Sequence, residues 1–196
     1  QYQTVSDRAQ RISQRSFIEL AKKKKAYMKT SPVLWCTECQ TSIAQAELET
    51  KECETVFNYL NFTTPIGNLL IATTRPELLA GCACIFVHPD DTRYKKFIGQ
   101  KAIVPLYDFE IPILADDTVA MDKGTGVVMC ASFGDSADVE WYQKHKLTSK
   151  EVILADGTIS EKIDFIGKMT VKKARAYIIE LLKKQNLLVK QETIRH

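Results

Sequence analysis

Two aspartates in the second half of the chain are placed by their spacing for binding or acid–base chemistry. Asp135 and Asp138 stand three residues apart at a predicted helix start, so both carboxylates fall on one side of its first turn. There they could bind a cationic amine or polarise a water. The same spacing has a purely structural interpretation, with Asp135 as the N-cap and Asp138 as the third-position carboxylate of a capping box.

A strand exit supplies a second polar group. Thr73, Thr74, Arg75 and Glu77 follow the apolar run 69–72, and loops after strands are where a rigid scaffold presents polar groups to a ligand. Two hydroxyls and a guanidinium suit ribose and phosphate. A threonine-rich strand end with a surface Arg–Glu pair is also commonplace in proteins without such a site.

Glycines mark a third candidate segment. Gly124-Thr125-Gly126 follows Lys123 in a predicted turn and precedes an apolar run that leads to Phe133. Glycine permits close approach of the backbone to a ligand, so this loop is a candidate binding segment.

A CxxC knuckle at Cys36 and Cys39 can supply two thiolates to a tetrahedral zinc. The sequence contains no second CxxC and no HxxxH pattern, so we expect at most half of a zinc site, with its partner outside these residues. A zinc-knuckle structural domain is one alternative interpretation of the chain.

Composition excludes several classes of protein. The net charge of +3 argues against a general polyanion-coating role, and six cysteines are too few for a disulfide scaffold. No apolar run reaches about 18 residues and no signal peptide is evident, so we expect a cytoplasmic protein with no membrane association. The start at Gln1 rather than Met suggests a fragment of a larger protein. The GxSxG, GxxxxGK[ST] and HExxH motifs do not occur.

Hydrophobic patterning predicts a mixed α+β fold with a β-barrel core and peripheral helices, because several short strands follow one another with few long helices between them. An amphipathic helix capped by Ser6 is expected over 5–29, and Asp156-Gly157 is expected to form a hairpin turn. The predicted strands are 69–73, 82–88, 101–106, 109–114 and 126–133, and the later helices are 136–145 and 170–186.

Four segments, in this order and spacing, resemble the editing domain of class I valyl-tRNA synthetases: 72–78 (ATTRPEL), 87–94 (VHPDDTRY), 111–117 (IPILADD) and 124–128 (GTGVV). The Phe133-Gly134-Asp135 form is similar to that of the archaeal-type enzymes, in place of the Pro-Ala-His-Asp element of the common bacterial pattern. Residues 35–39 (WCTEC) and 44–49 (AQAELE) resemble the segment that leads into the editing insertion. The resemblance therefore implies residues 1–50 as a lead-in and 51–196 as the editing β-barrel.

The resemblance implies post-transfer hydrolysis of threonyl-tRNA(Val), with Asp138 binding the α-ammonium group and Asp135 the threonyl hydroxyl or the attacking water. It implies that amides of the glycine loop stabilise the developing oxyanion. The implied catalytic residues are Asp135, Asp138, Thr73 and Thr74, and the implied substrate-binding residues are Arg75, Glu77, Lys123, Gly124, Thr125, Gly126 and Phe133, with no metal ligand.

The implied partners are the acceptor end of tRNA(Val) carrying threonine and the remainder of the synthetase. ATP and Mg would serve only the full-length enzyme, because the HIGH and KMSKS signatures are absent, and the chain alone should not aminoacylate. Two alternatives stay open: the editing domain of an isoleucyl or leucyl enzyme, and a non-catalytic module that positions tRNA through Lys22 to Lys25, Lys172 and Lys173.

Overall fold

A computed structural model describes residues 3–49 and 51–195 of the chain. The chain forms two compact units that divide between Pro32 and Val33. The 35–42 hairpin belongs to the second unit, where the Trp35 indole donates to the Ala155 carbonyl at 2.9 Å. None of the described helices is long and apolar enough to cross a membrane.

Helices and strands are numbered in chain order over the described residues. They are α1 (Asp7–Lys22), β1 (Trp35–Cys36), β2 (Thr41–Ser42), β3 (Glu54–Thr64), β4 (Gly67–Thr73), β5 (Cys82–Val87), β6 (Lys101–Ile103), β7 (Glu110–Ala115), β8 (Val127–Ala131), α2 (Ser136–His145), α3 (Val171–Lys184) and β9 (Leu188–Arg195). Three short 3₁₀ segments lie at Gln45–Glu47, Pro76–Gly81 and Lys95–Phe97.

One seven-stranded sheet forms the second unit. Its strand order is β4-β3-β6-β7-β5-β8, and β9 pairs with β3. Only the β5–β7 pair is parallel among the described strands. The two ends of this order, β4 and β8, lie against each other, so the sheet is nearly closed, which confirms the predicted mixed fold with a β-barrel core and few helices.

The β3–β4 hairpin shows why these residues make a sheet. Its turn ends at Gly67, whose φ of 127° favours glycine. Alternate residues of the pair, including Leu60, Phe62 and Ile71, are fully buried, so one face supplies the core. Strand β3 and most of β9 were not among the predicted strands, because polar residues interrupt their apolar pattern.

Two apolar clusters hold the helices. The larger cluster fills the barrel and takes Ala174, Ile178 and Leu182 from α3, at the helical spacing of four residues. The smaller one joins Phe86 of β5 to Trp141 of α2, with ring centroids 4.8 Å apart. Helix α2 is therefore fixed against the outside of the strands that end at the candidate site.

Several predicted boundaries were too generous. The first helix ends at Lys22 rather than 29, because Lys24 adopts a left-handed φ of 56°. Strand β6 ends at Ile103 rather than 106, and Leu106 is left-handed in the following turn. Ser6 caps α1 as predicted, and the turn at Asp156-Gly157 is confirmed by the Leu154 amide bonding to the Thr158 carbonyl.

Candidate active site

The exit of β4 turns the chain with its own threonine. The Thr73 side chain is buried, and its hydroxyl accepts from the Arg75 amide at 3.1 Å. The Asn58 side-chain amide donates to the Thr73 carbonyl at 3.2 Å, which ties the exit to β3. Thr74 is half-buried beside it. The Thr73 hydroxyl is thus engaged in shaping the turn that presents Arg75.

Arg75 is held in a defined position by a buried carboxylate. Its Nε donates to Glu77 at 3.3 Å, and its Nη1 donates to the Gly134 carbonyl. Glu77 is fully buried and also receives both prongs of the Arg175 guanidinium, at 2.7 and 2.9 Å. Because two arginines share this carboxylate, Glu77 contacts the site through Arg75 rather than through an open face of its own.

Asp135 and Asp138 form a reciprocal cap at the start of α2. Asp135 Oδ1 accepts from the Asp138 amide at 3.0 Å, and Asp138 Oδ2 accepts from the Asp135 amide at 3.2 Å. Asp138 Oδ1 accepts a third amide, that of Ala131, at 3.3 Å. The structural interpretation of this pair as a capping box is therefore confirmed. Asp135 is exposed and Asp138 is buried.

Burial separates the chemistry of the two aspartates. Burial, followed by the nearby charge of Asp135, raises the pKa of Asp138 to about 6. The buried Cys130 thiol and the amides of Asp135 and Ala131 oppose this rise by hydrogen bonding to the charged form. Asp138 therefore changes protonation near neutral pH, where acid–base and charge-recognition roles are sensitive to it.

Residues 132–134 connect β8 to the aspartates, and two of them, Ser132 and Phe133, line a cleft. Phe133 takes a left-handed φ of 50°, and Gly134 leaves no room for a side chain: a Cβ there would lie 2.7 Å from Asp138 Oδ2. The cleft has a volume of ≈ 440 Å³. It is lined by Arg75, Leu78, Ser132, Phe133, Ser149, Lys150, Glu151, Val152 and Ile153.

The predicted glycine loop lies at the other end of β8. A strand of five residues spans about 16 Å, so Gly124 to Gly126 and the aspartates flank opposite ends of Val127–Ala131. A Cβ on Gly124 would lie 3.2 Å from Ala72 Cβ, which places this loop beside the β4 exit. The Gly126 amide donates to the Lys123 carbonyl, which leaves that amide engaged rather than free to stabilise an oxyanion.

The predicted residues therefore form two groups. Thr73, Thr74, Lys123, Gly124, Thr125 and Gly126 surround the β4 exit and the start of β8. Arg75, Phe133, Asp135 and Asp138 surround the end of β8 and the cleft. Arg75 links the two groups because its backbone belongs to the β4 exit and its guanidinium reaches Gly134.

The Cys36–Cys39 knuckle is a preorganised pair of thiols. The Cys39 amide donates to Cys36 Sγ at 3.4 Å, and this backbone hydrogen bond is the main cause that lowers the pKa of the Cys36 thiol. Within residues 3–49 and 51–195, no group of three or more His, Cys, Asp or Glu is arranged to hold a metal ion. The zinc half-site remains a prediction that needs two further ligands.

Sequence reasoning missed the partners that only folding brings in. Arg175 lies 98 residues after Glu77 and fixes it from α3. Lys150 and Ser132 join across the cleft edge, where the Lys150 amide donates to the Ser132 hydroxyl at 3.1 Å. Nothing in the local pattern of α3 signals its pairing, since an arginine on an amphipathic helix is ordinarily solvated.

Comparison with known proteins connects this geometry to a family. Residues 90–180 match the family model described as Leucyl-tRNA synthetase, editing domain. The valine--tRNA ligase of Rickettsia typhi is 49% identical over 99% of this chain and 24% of its own length. That of Ehrlichia canis is 43% identical over 100% of this chain and 26% of its own length. The chain spans about a quarter of the length of the curated relatives it matches.

Two solved structures share the fold. LeuRS of Agrobacterium radiobacter K84, in a ternary complex with tRNA and LeuAMS, matches with a TM-score of 0.56 at 18% identity, over 74% of this chain and 20% of that chain. GlLeuRS-CP1 matches with a TM-score of 0.56 at 13% identity, over 69% of this chain and 99% of that chain. At these identities the similarity establishes the fold alone.

The chain therefore resembles an editing-domain family model over residues 90–180, is similar over its whole length to a segment of class I aminoacyl-tRNA synthetases, and shares the fold of GlLeuRS-CP1. Within that class its relatives at 43% and 49% identity are valine--tRNA ligases. This identity extends over the whole chain, whereas the family model described for the leucine enzymes matches residues 90–180 alone.

Proposed function

We propose that this chain hydrolyses the ester of threonyl-tRNA(Val), releasing threonine and leaving the tRNA with a free terminal ribose hydroxyl. The observation that carries the proposal is the capped aspartate pair placed directly after the wall of a cleft that Arg75 also lines. The partners would be the acceptor end of tRNA(Val) carrying threonine and the remainder of a synthetase chain, in the cytoplasm.

A second site is needed because a pocket shaped for valine rejects threonine poorly. The two are isosteric, and an apolar pocket discriminates against an added hydroxyl by only about a hundredfold, the limit known for valyl enzymes themselves. A polar site accepts threonine and rejects valine, because bound valine would leave the hydrogen-bonding groups of the site unpaired. The cleft is lined by the polar side chains of Arg75, Ser132 and Glu151, and the two aspartates follow Ser132 by three and six residues.

In the proposed reaction a water attacks the ester carbonyl, and the bond to the ribose oxygen then breaks. Asp138 binds the substrate's α-ammonium group, because a buried carboxylate gives a strong charge-assisted bond. The exposed Asp135 contacts the threonyl hydroxyl or the water. Arg75 faces the terminal nucleotide, and Phe133, 42% exposed, offers a ring for stacking. An aminoacyl ester is already reactive, so holding the acyl group and a water is sufficient without a dedicated nucleophile.

The remaining predicted residues are proposed to act around the β4 exit. Thr73, Thr74 and the loop from Lys123 to Gly126 would hold the terminal adenosine, and Glu77 would act by fixing Arg75. We further propose residues 1–50 as the lead-in and 51–196 as the editing domain proper. ATP and Mg belong to the full-length synthetase, and this chain would need neither for hydrolysis.

A deacylation assay tests the proposal. The chain, in excess over substrate so that weak tRNA binding is not limiting, is incubated with threonyl-tRNA(Val) and separately with valyl-tRNA(Val). We expect selective loss of the threonyl ester, and its abolition by Asp138→Ala. The control is Asp164→Ala, which removes an exposed aspartate that takes no part in the cap of α2.

Other outcomes separate the alternatives. Absence of threonyl ester hydrolysis by an intact, folded chain would refute the proposal. If such a chain bound tRNA in a manner abolished by salt and unaffected by Asp138→Ala, the tRNA-positioning alternative through Lys22 to Lys25, Lys172 and Lys173 would replace it. Preferred hydrolysis of a mischarged leucine or isoleucine tRNA would change the assigned substrate to that tRNA and leave the proposed reaction, ester hydrolysis, unchanged.

A further inference from the structure

Helix α2 buries a tyrosine whose hydroxyl has no partner. Tyr142 is 5% exposed. Among residues 3–49 and 51–195, its hydroxyl and that of Tyr107 are the two buried side-chain polar atoms without a hydrogen bond. An unpaired buried hydroxyl is costly, so each such group in a native fold requires an explanation.

Tyr142 lies directly behind the cleft wall. Its ring centroid is 4.8 Å from that of Phe133, and its hydroxyl is near Ser132. Both of these residues line the cleft. The Ser132 hydroxyl already donates to the Gly81 carbonyl at 3.2 Å and accepts from the Lys150 amide. With these two partners, the Ser132 hydroxyl makes no hydrogen bond of acceptable geometry with the tyrosine hydroxyl.

The tyrosine also shares a helix face with the functional aspartate. Tyr142 follows Asp138 by four residues, so the two side chains lie one turn apart on the buried side of α2. The two carboxylate oxygens of Asp138 accept the amides of Ala131 and Asp135. A carboxylate has about four lone-pair sites, so capacity remains for further donors.

This inference rests on the proposed deacylation. We propose that Tyr142 is a positioning residue of the site, whose hydroxyl donates toward the Asp138 carboxylate, directly or through one bound water, when that carboxylate holds the substrate's ammonium group. The donor stabilises the charged carboxylate in a buried place where charge is otherwise disfavoured.

The charges around Asp138 support this assignment. Burial raises the pKa of Tyr142 to about 12, so at neutral pH the hydroxyl keeps its proton and is a donor. The titratable and charged groups near Asp138 are Asp135 and Tyr142 on α2, Cys130 on β8, Cys82 and Cys84 on β5, and Arg75 with Glu77 before them. The buried thiols of Cys82 and Cys130 have raised pKa values and stay uncharged.

The chain offers a matched pair of variants. Tyr142→Phe and Tyr107→Phe each remove one unpaired buried hydroxyl and keep the ring. Tyr142 packs on Phe133, which lines the cleft, whereas Tyr107 packs on Phe165, which does not. The measurement is kcat/KM for threonyl-tRNA(Val) deacylation from about pH 5 to about pH 8.5, with Tm recorded for each variant.

We expect Tyr142→Phe to move the acidic limb of the profile upward by about half a pH unit or more, lowering kcat/KM several-fold near pH 6 and little near pH 8. Its Tm should be unchanged or higher, because an unpaired hydroxyl is removed. Tyr107→Phe should have the same pH profile as the wild type.

Three results would overturn the inference: a Tyr142→Phe profile that superimposes on the control, an equal loss of rate at every pH, or a fall in Tm that marks the hydroxyl as a structural partner. Asp138→Ala separates the two proposals. If that variant is active, the proposed site is wrong. If it is inactive while Tyr142→Phe behaves as the control, only the role of Tyr142 fails.

Discussion

A methyl group at position 134 would meet the Asp138 carboxylate before anything else. The Cβ of an alanine there would lie 2.7 Å from Asp138 Oδ2 and 3.1 Å from Leu78 Cδ1, whereas ordinary contact begins at 3.4 Å. That oxygen cannot move freely, because it accepts the Asp135 amide. Gly134→Ala must therefore break the reciprocal cap and also displace Leu78 in the core.

The expected cost follows from these contacts. Loss of a cap costs about 1 kcal/mol, and overpacking against Leu78 costs about 1–3 kcal/mol. The smaller entropy of the unfolded alanine chain returns about 0.4–1 kcal/mol. Gly134 is not in the left-handed region, so no backbone strain is added. The net destabilisation of about 1–3 kcal/mol lowers Tm by roughly 3–10 °C for a chain of this size.

Scanning calorimetry and a double-mutant cycle check the reasoning. Gly134→Ala should cost about 1 kcal/mol less in an Asp138→Ala background, because the clashing oxygen is gone. The rate of deacylation by Gly134→Ala should also fall, because the Asp138 carboxylate is displaced. Additive effects of the two substitutions, or an unchanged Tm for Gly134→Ala alone, would refute the proposed contact.

The buried carboxylates of Asp138, Glu77 and Asp116 give three further predictions. Because Asp138 has a pKa raised from 3.8 to about 6, native protein binds its proton more tightly than unfolded protein, and the free energy of unfolding falls as pH rises from about 4 to 6. Asp138→Asn should flatten that slope in urea titrations, and an unchanged slope contradicts it. Arg175→Met leaves the fully buried Glu77 with one guanidinium fewer and should cost about 3 kcal/mol by calorimetry; a loss below about 1 kcal/mol would contradict the pairing. Burial opposes the ionisation of Asp116, but the hydrogen bond with His145 contributes to holding its pKa below the usual range. The stabilisation by ionised Asp116 is then present above about pH 4 and lost on acidification. Asp116→Asn should therefore lower Tm at neutral pH and make Tm depend less on acidification. Equal Tm values for the variant and the wild type, both at neutral pH and in acid, would exclude this.

The aspartate pair shows that a structural and a functional interpretation are compatible. The spacing of Asp135 and Asp138 predicts a capping box, and the structure contains one. Because the cap fixes both side chains with backbone amides, it also holds them beside the cleft. The local pattern could not decide this second point, since the cleft is made by Lys150 to Ile153, which follow in sequence after the helix.

The sequence predicts strands correctly where their residues form an apolar pattern. It fails where pairing with neighbouring strands, rather than the pattern, stabilises the strand. Strands β4, β5, β7 and β8 carry continuous or alternating apolar residues and were predicted with small errors at their ends. Strand β3 was missed, although it is the longest strand described and pairs with three others. Its stability comes from neighbours on both sides, which a single segment does not reveal.

The amino-acid sequence by itself determined the fold class, the helix caps at Ser6 and Asp135, and the motifs that identify the family. These depend on local periodicity, side-chain hydrogen bonds within a few residues, and the order of short segments along the chain. Tertiary structure alone decided that Glu77 is buried under Arg175, that Gly124 lies beside the β4 exit, and that Tyr142 packs behind the cleft. Such facts depend on packing between residues distant in sequence, and burial then sets the charge state of Asp138.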